Sequence, residues 1–232
     1  SQDWTRYYQT DGYVKMSGAD KTHNFTNVSV SGNATLDWVD MGRVDIQTNA
    51  LIVGAAYPSI ARLKIADTVL ATNWPNKVKN GCTPLTVGAR PNTTASGSGV
   101  AAYSKSRGIL EIGAGAIVTN MLWMGYAESS AEANSTCHGS IFVRGGDLTS
   151  IGADSRYNFV GRTGSGYLEV SSGSFIAKSW FYLGGGQRGR GIFCQKGGSV
   201  LFETTGLVMG QYSSRANPSA GVYYLKNGTT AS

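Results

Sequence analysis

The sequence predicts an all-β, single-domain parallel β-helix, right-handed, with three short strands per coil of about 25–31 residues. Three observations lead there. Gly supplies 32 of the 232 residues and charged residues only 15%, a balance that disfavours long helices. A phrase of glycines and alternating apolar residues recurs along the chain. Its period is too short for a propeller blade, which needs about 40 residues, and it lacks the strict six-residue spacing of a left-handed hexapeptide helix. A β-sandwich is the main alternative.

The phrase reads Gly, x, apolar, x, apolar, x, x, Gly, x, apolar. It is complete at Gly108 (Leu110, Ile112, Gly115, Ile117), Gly139 (Ile141, Val143, Gly146, Leu148) and Gly166 (Leu168, Val170, Gly173, Phe175). At Gly191 it has one departure, Gln195 where an apolar residue is due, and at Gly221 (Tyr223, Leu225, Gly228) it runs into the end of the sequence. A second signature, apolar-x-apolar-Gly, follows at Leu122–Gly125, Phe181–Gly184 and Leu207–Gly210, with a weaker member at Asn158–Gly161 where Asn takes the first apolar position, and precedes the full copies at Leu51–Gly54 and Leu85–Gly88. Alternation within each segment is a strand signal, and the glycines mark the bends.

In chain order, residues 1–30 carry Trp4, Tyr7, Tyr8 and Tyr13 but no repeat, and read as an N-terminal cap or docking segment over the edge of the first coil. Residues 31–232 form the repeats. Val44-Asp45-Ile46 and Leu63-Lys64-Ile65 are degenerate first strands, and Leu36-Asp37-Trp38 extends the pattern backwards. Stacking at about 4.8 Å per coil then places Leu110, Ile141, Leu168 and Phe193 in one interior column. Ile112, Val143, Val170, Gln195 and Leu225 form the next. The last coil is incomplete at Ser232, which suits a fragment or a unit that assembles through its open end.

The phrase as it stands in Gly166–Gly184 resembles the repeats of bacterial surface β-helix proteins, autotransporter passenger domains in particular. The resemblance covers roughly residues 42–232. It implies an extracellular or cell-surface location and a structural, adhesin-like role. The family's outer-membrane barrel has no counterpart in this sequence. Six Asn-x-Ser/Thr sequons, at Asn24, Asn27, Asn33, Asn92, Asn134 and Asn227, suit an extracellular surface.

Charge and cysteines narrow the classes of function. The net charge of +6 is spread singly over the 20 Lys and Arg, which argues against nucleic acid and is compatible with acidic polysaccharide. Cys82, Cys137 and Cys194 are dispersed, allow at most one internal bridge, and match no zinc spacing. No cofactor, metal or membrane-spanning segment is expected.

Registering the copies assigns the outward positions. Those of the first strand hold Asp45, Lys64, Glu111, Phe142, Glu169, Cys194 and Tyr224, an ordinary solvated face. Those of the last strand read Ile52, Thr86, Trp123, Phe159, Tyr182 and Val208, an apolar ladder with three successive aromatics. Trp123, Phe159 and Tyr182 are therefore candidates for sugar stacking or for a subunit interface. Arg188 and Arg190, in the glycine-rich run 184–191, are candidate binding residues at a bend, although the run lacks a phosphate-binding ending.

No catalytic residue is assigned. The 14 acids are single, and Glu111 and Glu169 lie two coils apart, about 9.6 Å at one strand spacing per coil. His23 and His138 have no evident nucleophile partner. The function expected is an extracellular structural or adhesive solenoid, a homo-oligomer or filament or a binder of surface glycans. The alternative is a carbohydrate-binding or polysaccharide-cleaving β-helix.

Overall fold

The computed structural model describes residues 2–4, 6–46, 51–55, 60–72, 85–89, 106–126, 137–152, 157–186, 188–203, 206–211 and 218–226. All regular structure among them is β. The chain order begins β1 (Gln2–Trp4), β2 (Tyr7–Gln9), β3 (Tyr13–Met16), β4 (Thr22–Phe25), β5 (Val28–Ser31), β6 (Thr35–Ile46) and β7 (Leu51–Ala55). It continues with β8 (Ile60–Thr72), β9 (Leu85–Ala89), β10 (Arg107–Ile112), β11 (Ile117–Asn120), β12 (Leu122–Tyr126), β13 (His138–Ser150) and β14 (Asn158–Val160). It closes with β15 (Ser165–Ala177), β16 (Phe181–Leu183), β17 (Arg190–Gln195), β18 (Ser199–Phe202), β19 (Leu207–Met209) and β20 (Ala220–Leu225). No helix of the described residues is long and apolar enough to cross a membrane.

Every described pairing is parallel, and the strands form two sheets. The larger runs β1-β4-β6-β8-β10-β13-β15-β17-β20, with β3, β11 and β18 paired alongside. The smaller runs β2-β5-β7-β9-β12-β14-β16-β19. Each repeat thus contributes two segments to the larger sheet and one to the smaller, beside the same segments of the repeats before and after.

The register puts like residues on like. One inward column of the larger sheet runs Leu36, Leu63, Leu110, Ile141, Leu168, Phe193 and Tyr223. The next runs Trp38, Ile65, Ile112, Val143, Val170, Gln195 and Leu225. From Leu36 to Phe193 and from Trp38 to Gln195 these residues are buried. Gln195 is tolerated in an apolar column because its amide is engaged: the Tyr223 hydroxyl donates to Oε1 at 2.6 Å. The smaller sheet supplies Val53, Val87, Met124, Val160 and Leu183 to the same core.

The two glycine signatures have separate causes. Gly161, ending the β14 signature, has φ 78°, a left-handed conformation that disfavours side chains. Gly166, at the start of the next first segment, packs so closely on Val160 and Gly161 that a Cβ would overlap their backbone. One glycine lets the chain leave the smaller sheet; the other lets it enter the larger one.

Three features differ from expectation. The first two segments of a repeat merge into one long strand in β6, β8, β13 and β15, whereas β10 and β11, or β17 and β18, stay separate. Register irregularities absorb the bend, as between Val143, Arg144 and Asp147. Val44-Asp45-Ile46 is a second segment, pairing with Leu70-Ala71-Thr72; the first segment of that repeat is Leu36-Asp37-Trp38. Both halves of β6 alternate in the same way, and the bend between them uses Asp40 and Gly42 with positive φ in place of the usual glycine spacing. Finally, residues 1–30 share the pairing of the repeats without sharing their signature. β1 and β4 join the larger sheet, and β2 and β5 the smaller. The boundary at residue 30 is one of sequence signature, not of strand pairing.

Candidate interface on the outer face of the smaller sheet

Short strands β12, β14 and β16 alternate inward and outward, so Trp123, Phe159 and Tyr182 point the same way and fall side by side. Trp123 pairs with Phe159, and Phe159 with Tyr182. The ladder continues to Thr86 and Ile52 on one side and Val208 on the other. The Phe159 and Tyr182 rings stack at 5.2 Å and 29°, an offset arrangement favoured by the ring quadrupoles.

This ladder is not a bare stripe. Phe159 is only 8% exposed and Tyr182 6%. Tyr157 packs on Tyr182 at 5.1 Å, and its carbonyl accepts a hydrogen bond from Trp123 Nε1 at 3.1 Å. Gly185 lies against the Phe159 ring, where a Cβ would collide with it. Arg162 lays its guanidinium over Trp123 at 4.0 Å, over Tyr126 at 4.5 Å and over Phe159 at 5.2 Å, a triple cation–π contact. Trp180 stacks on Tyr182 at 6.3 Å and 29° and remains 40% exposed. The centre of the cluster is covered; Trp180 is its most open ring, and Trp123, Tyr126 and Tyr157 are half-buried.

Arg188 and Arg190 separate. Arg188 is exposed in the turn closed by Gly189 N donating to Gly186 O, with φ 59°. Arg190 starts β17 in the larger sheet, between Ser165 and Ala220. The cation that joins the ladder is Arg162, and with it come Tyr126, Tyr157 and Trp180. Their signal was present: each lies within two residues of an apolar-x-apolar-Gly signature, where the chain turns back across the sheet.

The outward positions of the larger sheet hold a different kind of cluster. With Asp45 moved to a second segment, where Arg43 Nε contacts it at 2.9 Å, the column reads Asp37, Lys64, Glu111, Phe142, Glu169, Cys194 and Tyr224. Glu111 and Glu169 are separated by Phe142, and Arg144 reaches Glu111 at 4.0 Å. Glu169 Oε2 accepts hydrogen bonds from the Tyr167 hydroxyl at 2.5 Å and from Lys196 Nζ at 2.7 Å. Burial opposes ionisation of Glu169, but these two donors, with the charges of Lys196 and Arg144, hold its carboxyl below the usual range. Tyr167 is pushed well up by burial and by its bond to Glu169. His138 is lowered by burial and by Arg107.

Cys194 is a buried thiol outside any disulfide. Cys137 is buried and its sulfur accepts a hydrogen bond from Ser106 Oγ at 3.1 Å. Cys82 and the sequons at Asn92, Asn134 and Asn227 lie outside the described residues. Asn24 and Asn27 are half-buried and Asn33 is exposed.

Comparison with known proteins finds no matching family model, no matching curated protein and no matching solved structure.

Proposed function

We propose that the two parallel sheets belong to a right-handed parallel β-helix, and that the chain serves as an extracellular structural or adhesive element of the kind its repeats resemble. The observation that carries this reading is the continuity of the inward columns through the repeats, like residue on like. A stack of this kind lengthens by one layer per repeat and projects its outer faces as a rod. The accessible sequon Asn33 and the surface aromatics suit such a role.

A second reading, carbohydrate binding, is favoured by one feature. Trp180 presents an accessible ring already supported from behind by Tyr182, and supported aromatic faces suit the apolar faces of sugar rings.

Surface digestion of intact producing cells, followed by detection of the chain, tests the location. Loss of signal with membranes intact is expected, and a fully protected chain overturns the proposal. A glycan array probed with the purified chain separates the two readings. Sugar binding that falls at least tenfold in Trp180→Ala, with an unchanged melting curve, selects the carbohydrate reading. A reducing-sugar assay on acidic polysaccharides tests the cleaving variant of that reading.

A further inference from the structure

We propose that the outer face of the larger sheet binds an acidic polysaccharide along a stripe of cations made by Arg107, His138 and Arg190, with Arg62 at its side. The stripe is a product of strand pairing. Arg107 of β10 stands beside His138 of β13, His138 beside Ser165 of β15, and Ser165 beside Arg190 of β17. Each of these residues precedes an inward glycine, at Gly108, Gly139, Gly166 and Gly191, so alternation turns all their side chains outward. Parallel neighbours are about 4.8 Å apart, which sets Arg107 and Arg190, three strands apart, about 14 Å from each other across the sheet. Arg62 of β8 pairs with Ile109 and so flanks Arg107 in the next outward column. The strands β10, β13, β15 and β17 each have a partner on both sides.

The charges of this face leave the stripe without a counterion. Arg62, Arg107 and Arg190 are exposed and His138 is half-buried. The acids nearby are already matched: Arg144 reaches Glu111 at 4.0 Å, and Lys196 holds Glu169 at 2.7 Å. Among the described residues, Arg62, Arg107 and Arg190 form no ion pair. Arg107 acts on His138 instead, adding to burial in lowering the imidazole below its ordinary value. Like charges side by side repel, and an anion laid between them relieves the repulsion. A carboxylate or sulfate would meet a guanidinium fork at either end of the stripe. Ser165 within it and Ser140 beside Ile109 suit the hydroxyls of the sugar between.

The dimensions of the stripe select this occupant over other polyanions. Anionic membranes are met by clusters of about 4–8 Lys and Arg, and duplex DNA by roughly 6–10 phosphate contacts; this stripe is narrow and has three guanidiniums. Single-stranded nucleic acid asks for open aromatic platforms. The ring beside the stripe, Tyr167, is half-buried and tied through its hydroxyl to Glu169. An extended acidic sugar chain needs neither breadth nor platforms.

The stripe is distinct from Trp180, which precedes β16 of the smaller sheet, and it does not depend on the extracellular reading. Binding of the purified chain to alginate and to heparin at low salt tests it, with dextran as the neutral polymer. Alginate offers carboxylates alone and heparin adds sulfates, so the two arms identify the source of the anion. Saturable binding to at least one acidic polymer is expected, weakened by salt and absent with dextran. Replacing both arginines, Arg107→Gln with Arg190→Gln, should weaken it about fivefold or more, and lysine at both positions should recover most of it. Lys178→Gln removes a charge beyond the far end of β15, from a pair with Glu203, and should change binding little. Thermal melts of all these variants control for folding.

His138 provides a readout that diffuse attraction would not move. Arg107 faces it from β10, Ser165 from β15, and Ser140 follows on its own strand. A bound anion therefore favours the charged imidazole, and its titration, followed by nuclear magnetic resonance, should shift upward when the acidic polymer is added. Binding should tighten to match as pH falls through that range, and His138→Gln should remove the pH dependence. An imidazole that titrates alike with and without polymer overturns the stripe, as does failure to bind either acidic polymer. Equal weakening in Lys178→Gln, or tighter binding to a single-stranded DNA oligomer than to either polysaccharide, also overturns it. A loss in Trp180→Ala as large as in the double arginine variant moves the acidic sugar to Trp180 and overturns the stripe; unchanged binding in Trp180→Ala supports the stripe even where the Trp180 reading fails.

Discussion

Leu183 and Met209 occupy one inward column in neighbouring strands of the smaller sheet. The first is wholly buried and the second is largely open to solvent. The larger sheet repeats the contrast between Gln195, buried, and its partner Leu225, exposed. Between parallel strands an inward side chain is buried by its neighbours on both sides, so the same pattern contributes differently in the middle of a sheet and at its last described strand. The opposite end resolves the problem in another way. Gln9 takes the column position, and its hydrogen bonds close the core with a polar side chain.

The sharpest measure of this contrast is truncation at matched column positions. Leu168 is fully buried between Ile141 and Phe193, and Leu168→Ala is expected to destabilise by about 2–5 kcal/mol. Met209→Ala, measured by denaturant unfolding, is expected to stay within about 0.5 kcal/mol. Equal losses at the two sites would mean that Met209 is buried in solution.

An intermediate effect is expected at the seam between middle and end. Tyr223 belongs to the last described strand, and its hydroxyl donates to Gln195, the polar residue inside the column. Tyr223→Phe keeps the ring on Phe193, now 5.0 Å away, but removes the donor to a buried oxygen. A loss of about 1–3 kcal/mol follows from removing this buried hydrogen bond, read as a shift in urea midpoint at constant slope. No loss would mean that Gln195 finds a replacement partner, and that the column admits water there.

How much of this was legible follows from the same contrast. Where the repeat is complete, at Gly108, Gly139 and Gly166, or has the one departure at Gly191, the alternation determined strand, face and partner, so Leu110, Ile141, Leu168 and Phe193 line up as their spacing predicts. The ladder Trp123, Phe159, Tyr182 followed from the second signature for the same reason. Legibility failed where the bend changed chemistry. Asp40 and Asp67 take the positive φ that glycine takes elsewhere, and the shift of Val44-Asp45-Ile46 to a second segment was hidden by this substitution. Residues 1–30 bend at Gly12 and Asp20, both at positive φ, without completing the glycine phrase. Arg162 and Trp180 escaped for another reason: they sit just outside the repeated phrase, and only folding brings them over the ladder.

The smallest effect belongs to the outer face of the larger sheet, where Lys196 of β17's following bend meets Glu169 of β15. Removing the ammonium with Lys196→Gln should barely change stability at neutral pH, because the pair is half open to solvent and exposed pairs contribute little. Its trace is in the pH profile. Glu169 is held below its usual range in the folded chain, so its contribution is present above the unfolded carboxyl value of about 4.3. That contribution is lost as pH falls through the lowered folded value. His138, lowered by burial and Arg107, acts in the same direction at a higher pH, since its protonation below about 6.5 favours the unfolded chain. Both therefore weaken the fold in acid, and the variant separates them. In Lys196→Gln the folded value of Glu169 moves up toward the unfolded one, so the loss attributable to Glu169 should be smaller and complete at a higher pH, while the His138 portion stays in place. Thermal melts of both proteins from neutral to acid pH provide the measurement. Coincident curves would mean that Tyr167, which donates to the same carboxylate oxygen, is enough to hold Glu169 ionised without the lysine.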